Sequence, residues 1–156
     1  TKNNLGNAYI TLAEVEAKAE NSKRAIEACE EALKVRTRDR FPMDYGTTQN
    51  NLGNAYVTLA EVEAKAENCN SAIEAYEEAL EVRTCDRFPI DYGMTQNNLG
   101  NAYVTLAEVE GKVENCRRAI GAYEEALRIY SERKYPEIYP FVERNLKLVR
   151  DFCEGD

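Results

Sequence analysis

The chain contains no histidine and no tryptophan, has only four prolines, and carries no apolar run near the ~20 residues that span a bilayer. Without histidine, a His-based catalytic triad and an imidazole-ligated metal are both excluded. Neither a Walker motif nor a dinucleotide glycine motif occurs. Basic residues are the minority: 20 Lys and Arg stand against 28 Asp and Glu, for a net charge of -8. Such a surface repels phosphate backbones, so neither nucleic acid nor membrane is an expected partner. The cysteines are five, Cys29, Cys69, Cys85, Cys116 and Cys153, an odd number with no C-x-x-C pair. They read as reduced thiols of a cytoplasmic protein, and neither a metal nor another cofactor is expected. Adjacent carboxylates such as Glu77-Glu78 diverge on a helix and read as a solvated face, so no enzyme is expected.

What the chain does have is repetition. With 44% apolar and 31% charged residues it is composed like a globular domain, and one block organises it. Asn3-Asn4-Leu5-Gly6-Asn7-Ala8-Tyr9 recurs from Asn50 to Tyr56 and from Asn97 to Tyr103, an interval of 47 residues each time. Ala25-Ile26, Ala72-Ile73 and Ala119-Ile120 follow, and then Glu-Glu-Ala-Leu ending at Leu33, Leu80 and Leu127. Within a copy the apolar positions keep helical spacing. Leu52, Tyr56 and Leu59 make one stripe; Cys69, Ala72, Ile73, Tyr76, Ala79 and Leu80 make another. Phe41-Pro42 and Phe88-Pro89 punctuate the copies, with Pro suited to a first helical turn and Asp44 and Asp91 to its positive end. Each copy therefore reads as two antiparallel helices that can bury their stripes only by stacking on neighbours.

Gln49-x2-Leu52-Gly53-x2-Tyr56 followed by Ala72-x3-Tyr76-x2-Ala79 resembles the tetratricopeptide-repeat signature, and does so three times over. The usual Trp is Lys2, Gln49 and Gln96; the second-helix Phe is Cys29, Tyr76 and Tyr123; the Pro after the second helix is missing. The period also exceeds the family's ~34 residues, so the array is similar to the lengthened repeats of kinesin-light-chain-type and prokaryotic signalling proteins. The resemblance implies an all-α, right-handed α-solenoid of antiparallel helix hairpins in one domain over 1–156. Copy 1 spans about 1–41, copy 2 about 42–88, copy 3 about 89–135, and a C-terminal cap 136–156. If the first-helix Gly packs on the second-helix Ala, the added length is shared by both arms. That places the turn of copy 2 near Val62 to Lys65 and its link to copy 3 near Asp86 to Phe88, with helices of roughly 20 residues. Seven helices are expected. The last carries Ile138, Val142, Val149 and Cys153 inward and Glu143, Arg144, Lys147 and Asp151 outward.

The resemblance also implies that first helices line a concave groove. The positions around Leu-Gly are then Asn3, Asn4 and Asn7, Asn50, Asn51 and Asn54, and Asn97, Asn98 and Asn101, with Thr11, Thr58 and Thr105 one turn on. Asn is a mediocre helix former, and its amide both donates to and accepts from an extended peptide. A groove built on Asn3, Asn7, Asn50, Asn54, Asn97, Asn101, Thr11, Thr58 and Thr105 would bind a peptide or partner domain; the alternative is that these amides bond between repeats and hold the stack. The Lys and Arg that clamp a terminal carboxylate in chaperone-binding relatives are absent, Lys2 alone being basic. The functional expectation is thus a protein–protein interaction scaffold, and the alternative a structural spacer or self-association element. Because Thr1 falls inside a repeat, a weak homodimer through the N-terminal end is also expected.

Overall fold

The computed structural model describes residues 2–155, and their side chains from Glu14 onward together with Tyr9 and Leu12. It is all-α, and consecutive helices pack on one another: α1 (Lys2–Leu33), α2 (Pro42–Ala60), α3 (Lys65–Leu80), α4 (Pro89–Ala107), α5 (Lys112–Ile129) and α6 (Tyr139–Glu154). The all-α solenoid is borne out. Among the described residues there are six helices rather than seven, because the first copy does not turn back on itself: α1 runs unbroken through 32 residues.

Copies 2 and 3 form the expected hairpins. The α2–α3 turn occupies residues 61–64, and the backbone reverses by placing Ala64 in the left-handed region (φ 43°). Gly111 does the same between α4 and α5 (φ 54°), where glycine carries no steric penalty. Past the turn, the Asn68 and Asn115 amides donate to the carbonyls of Glu63 and Glu110, both at 2.9 Å. Pro42 and Pro89 open α2 and α4, where the missing N–H costs nothing.

The nearest neighbour of the small residue of the first helix is a tyrosine of the second. A Cβ on Gly53 would lie 2.4 Å from the Tyr76 ring, and one on Gly100 2.7 Å from that of Tyr123. Each glycine leaves the room that the ring of the second helix occupies, and this lets the two helices of the hairpin close on one another. Tyr76 and Tyr123 are each 2% exposed. A ring buried to that degree contributes about 2–3 kcal/mol. One core runs from Ala60 through Tyr76, Leu99, Tyr103 and Tyr123 to Val149, with a smaller cluster of Ile26, Leu52, Leu59 and Ala75 where α1 packs on α2 and α3.

Repeats are joined by equivalent rungs. Lys18 pairs with Glu61, Lys65 with Glu108 at 3.0 Å, and Lys112 donates to the Gly155 carbonyl. A second series joins arginines to threonines and is buried at Arg83 and Thr95, though Arg36 is exposed. Arg36 donates to Thr48 at 3.2 Å; Arg83 reaches Thr95 at 3.1 Å and Thr47 at 3.0 Å. Burial lowers the Arg83 pKa, partly opposed by the nearby Asp91 carboxylate.

The cap differs from expectation in two respects. Val142 and Val149 are buried, but Ile138 precedes α6 and lies exposed, while Leu146 takes the inward position. Cys116 and Cys153 are joined by a disulfide, their Cα atoms 6.0 Å apart, so the expectation of five reduced thiols is corrected. The reason is register: Cys116 matches Cys69, and Cys153 falls where Leu106 shares a core with Cys69. Cys29, Cys69 and Cys85 remain free.

Candidate functional site

The candidate asparagines fall into two groups set by one helical turn. Asn50 and Asn97 are buried, 3% and 8% exposed. Asn50 accepts from the Thr95 hydroxyl at 3.1 Å and the Asn98 amide at 3.4 Å, and Asn97 accepts from Asn145 at 3.2 Å. These are contacts from one repeat to the next, so the amides of Asn50 and Asn97 are engaged inside the stack.

Asn54 and Asn101 lie one turn farther along and face outward, Asn54 exposed and Asn101 half-buried. Each is held from below. The Tyr76 hydroxyl donates to Asn54 Oδ1 at 2.7 Å, and the Tyr123 hydroxyl to Asn101 Oδ1 at 2.6 Å. Burial pushes both tyrosine hydroxyls far above the ordinary phenol range, so they stay protonated donors. The Asn98 amide also reaches Asn54 Oδ1 at 3.3 Å. Thr58 and Thr105 donate to the carbonyls of Asn54 and Asn101 at 2.9 and 3.0 Å, satisfying their hydroxyls within their own helices. The side chains of Asn3, Asn7 and Thr11 lie outside the described residues.

Two clefts gather the outward group. One, about 360 Å³, is lined by Asn101, Thr105 and Tyr123 together with Asn145, Leu148 and Phe152 of the cap. The other, about 430 Å³, lies between α1 and α2, lined by Lys18, Asn21, Ser22 and Ala25 on one side and Asn51, Asn54 and Thr58 on the other. A larger cleft of about 840 Å³ lies along α6, where Tyr139, Glu143, Arg144 and Arg150 line it, and includes none of these asparagines. Leu148 and Phe152 are not among the candidates read from the sequence. Their positions follow from the echo of Asn98-Leu99 in Asn145-Leu146, which puts them in register with Asn101 and Thr105. Lys18 and Asn21 follow only from the path of α1.

Among the described residues no group of three or more Cys, Asp or Glu is placed to hold a metal ion, and no helix is long and apolar enough to cross a membrane. A family model described as tetratricopeptide repeat matches residues 4–84. No curated protein matches the chain.

Proposed function

The chain belongs to the tetratricopeptide-repeat family, and on that premise we propose that it is an interaction scaffold whose concave groove binds an extended peptide or partner domain. The observation that carries this reading is the pair Asn54 and Asn101. Each accepts at Oδ1 from a buried tyrosine hydroxyl and lines a cleft, which leaves its Nδ2 hydrogens to donate to a ligand. An asparagine oriented in advance loses less side-chain freedom on binding than a free one. Beside Asn101, Leu148 (58% exposed) and Phe152 supply an apolar wall for a ligand side chain. An Asn donor for backbone and an apolar wall for a side chain together suit a peptide.

Asn50 and Asn97 favour the second reading, a structural spacer, because their amides serve the stack. The two readings separate in one experiment. Peptides selected from a random display library on the intact chain are titrated against wild type, Asn54→Ala, Asn101→Ala and Phe152→Ala. Peptide binding predicts that each outward substitution weakens affinity by about 1 kcal/mol or more while the far-ultraviolet spectrum is unchanged. Selection of no peptide, or equal affinity across the variants, would favour the spacer.

A further inference from the structure

The straight course of α1 leaves two complementary surfaces of one molecule unable to meet. Its second half occupies the place of a second hairpin helix: Lys18 pairs with Glu61 as Lys65 does with Glu108, and Ile26 is buried. The side that a first helix covers elsewhere is bare. Ala25 and Ala28 are exposed, whereas Ala72 and Ala119 are 0% exposed and Ala75 and Ala122 are buried. Cys29 is half-exposed where Tyr76 is buried. The α1–α2 cleft of Asn51, Asn54 and Thr58 opens on the same side. The first half of α1 carries what would cover that side, for residues 3–21 match 50–68 at every position but Ile10. Yet it continues outward as helix, with Tyr9 64%, Leu12 52% and Val15 40% exposed.

We propose that the bare face of α1 is a docking surface for the first half of α1 from a second copy of this chain, so that two molecules exchange arms. The register supports it. In copy 2 the hairpin pairs Gly53 with Tyr76, which in copy 1 translates to positions 6 and 29. Two straight, antiparallel α1 helices related by a two-fold axis near Ala17 and Lys18 bring residue 6 of each chain opposite residue 29 of the other. Both contacts are satisfied at once, and neither helix must bend. The interface is isologous and closed, so the assembly stops at two. In the exchanged dimer the arm fills the α1–α2 cleft and leaves the cleft at Asn101 open, so the loss of peptide affinity on Asn54→Ala is expected of the monomer and that on Asn101→Ala and Phe152→Ala of both forms.

A cysteine pair reads the exchange directly. In a Cys85→Ser background, Gly6→Cys places a thiol opposite the native Cys29, and mild oxidation traps whatever contact exists. Exchange predicts a covalent dimer on non-reducing electrophoresis, lost when Cys29→Ser is added. A bond within a single chain, or none, would overturn it. Sedimentation velocity of the unmodified chain is the second measurement, with a dimer expected from low to high micromolar concentration. Ala17→Gly, which lets the turn close as at Gly111, should raise the dimer dissociation constant at least tenfold. A wild-type monomer throughout, or a dimer indifferent to Ala17→Gly, would refute arm exchange.

Discussion

Thr11–Asn21 and Thr58–Asn68 carry the same eleven residues in the same order, yet the first stretch runs straight through α1 while the second breaks at Glu61 and reverses at Ala64. Composition favours the helix: Ala, Leu, Glu and Lys are good helix formers, and no Gly or Pro interrupts them. A left-handed alanine costs about 1–2 kcal/mol, with helical hydrogen bonds lost besides. What offsets this in copy 2 lies outside the segment. The Tyr76 ring closes over Gly53, the Asn68 amide bonds the Glu63 carbonyl, and Cys69 is buried. Copy 1 has Cys29 and Ser22 at the ring and Cys69 positions, and with the ring absent the local preference prevails. The turn is a tertiary property: the same eleven residues make it only where the next helix supplies an aromatic.

The comparison can be broken by exchanging those residues. Tyr76→Cys gives copy 2 the residue of copy 1, empties the space above Gly53 and should cost about 4 kcal/mol in urea unfolding. A loss below about 1 kcal/mol would mean that something other than the ring closes the hairpin. The opposite end of the array is tied by the Cys116–Cys153 bond, which α1 lacks. Replacing both residues by Ser should cost about 4 kcal/mol, as expected for a loop of that size, and speed hydrogen exchange in α6. In the intact chain amides of residues 3–35 should exchange faster than those of 97–130 in dilute solution. The reverse exchange, Cys29→Tyr, should stabilise the chain by about 2 kcal/mol and give residue 17 the carbon shifts of a turn. Persistent helical shifts there would show that the aromatic alone is not enough. The smallest effect is at the turn itself: Ala64→Gly should stabilise by about 1 kcal/mol and Gly111→Ala destabilise by as much.

This contrast marks what the sequence makes legible. The helical class, the family and the copy 2 turn could be read because apolar spacing is local and recurs, as Leu52, Tyr56 and Leu59 do. The state of copy 1 was not legible, since residues 3–21 are nearly those of copy 2 and the deciding difference sits at Cys29. The Cys116–Cys153 bond depends on where the cap lands. Within the candidate site, the asparagines pointed to the first helices of the repeats. Asn50 is buried against Thr95 and Asn98 of the next repeat, whereas Asn54, only about 40° farther around the helix, also meets Asn98 but stays exposed, a difference that the shared Asn type conceals. The cap's Leu148 and Phe152 lack the repeat's residue types altogether.

The rungs from Lys18 to Glu61 and from Lys65 to Glu108 are the same joint used twice, with each unit presenting a lysine on one side and a glutamate on the other. A unit of 47 residues duplicated or deleted between Pro42 and Phe88 would find a matching joint on both flanks. The number of units in such an array can therefore change without any interface being remade. Length is the evolvable variable of this architecture, and the spacing of its asparagines stays constant while it changes.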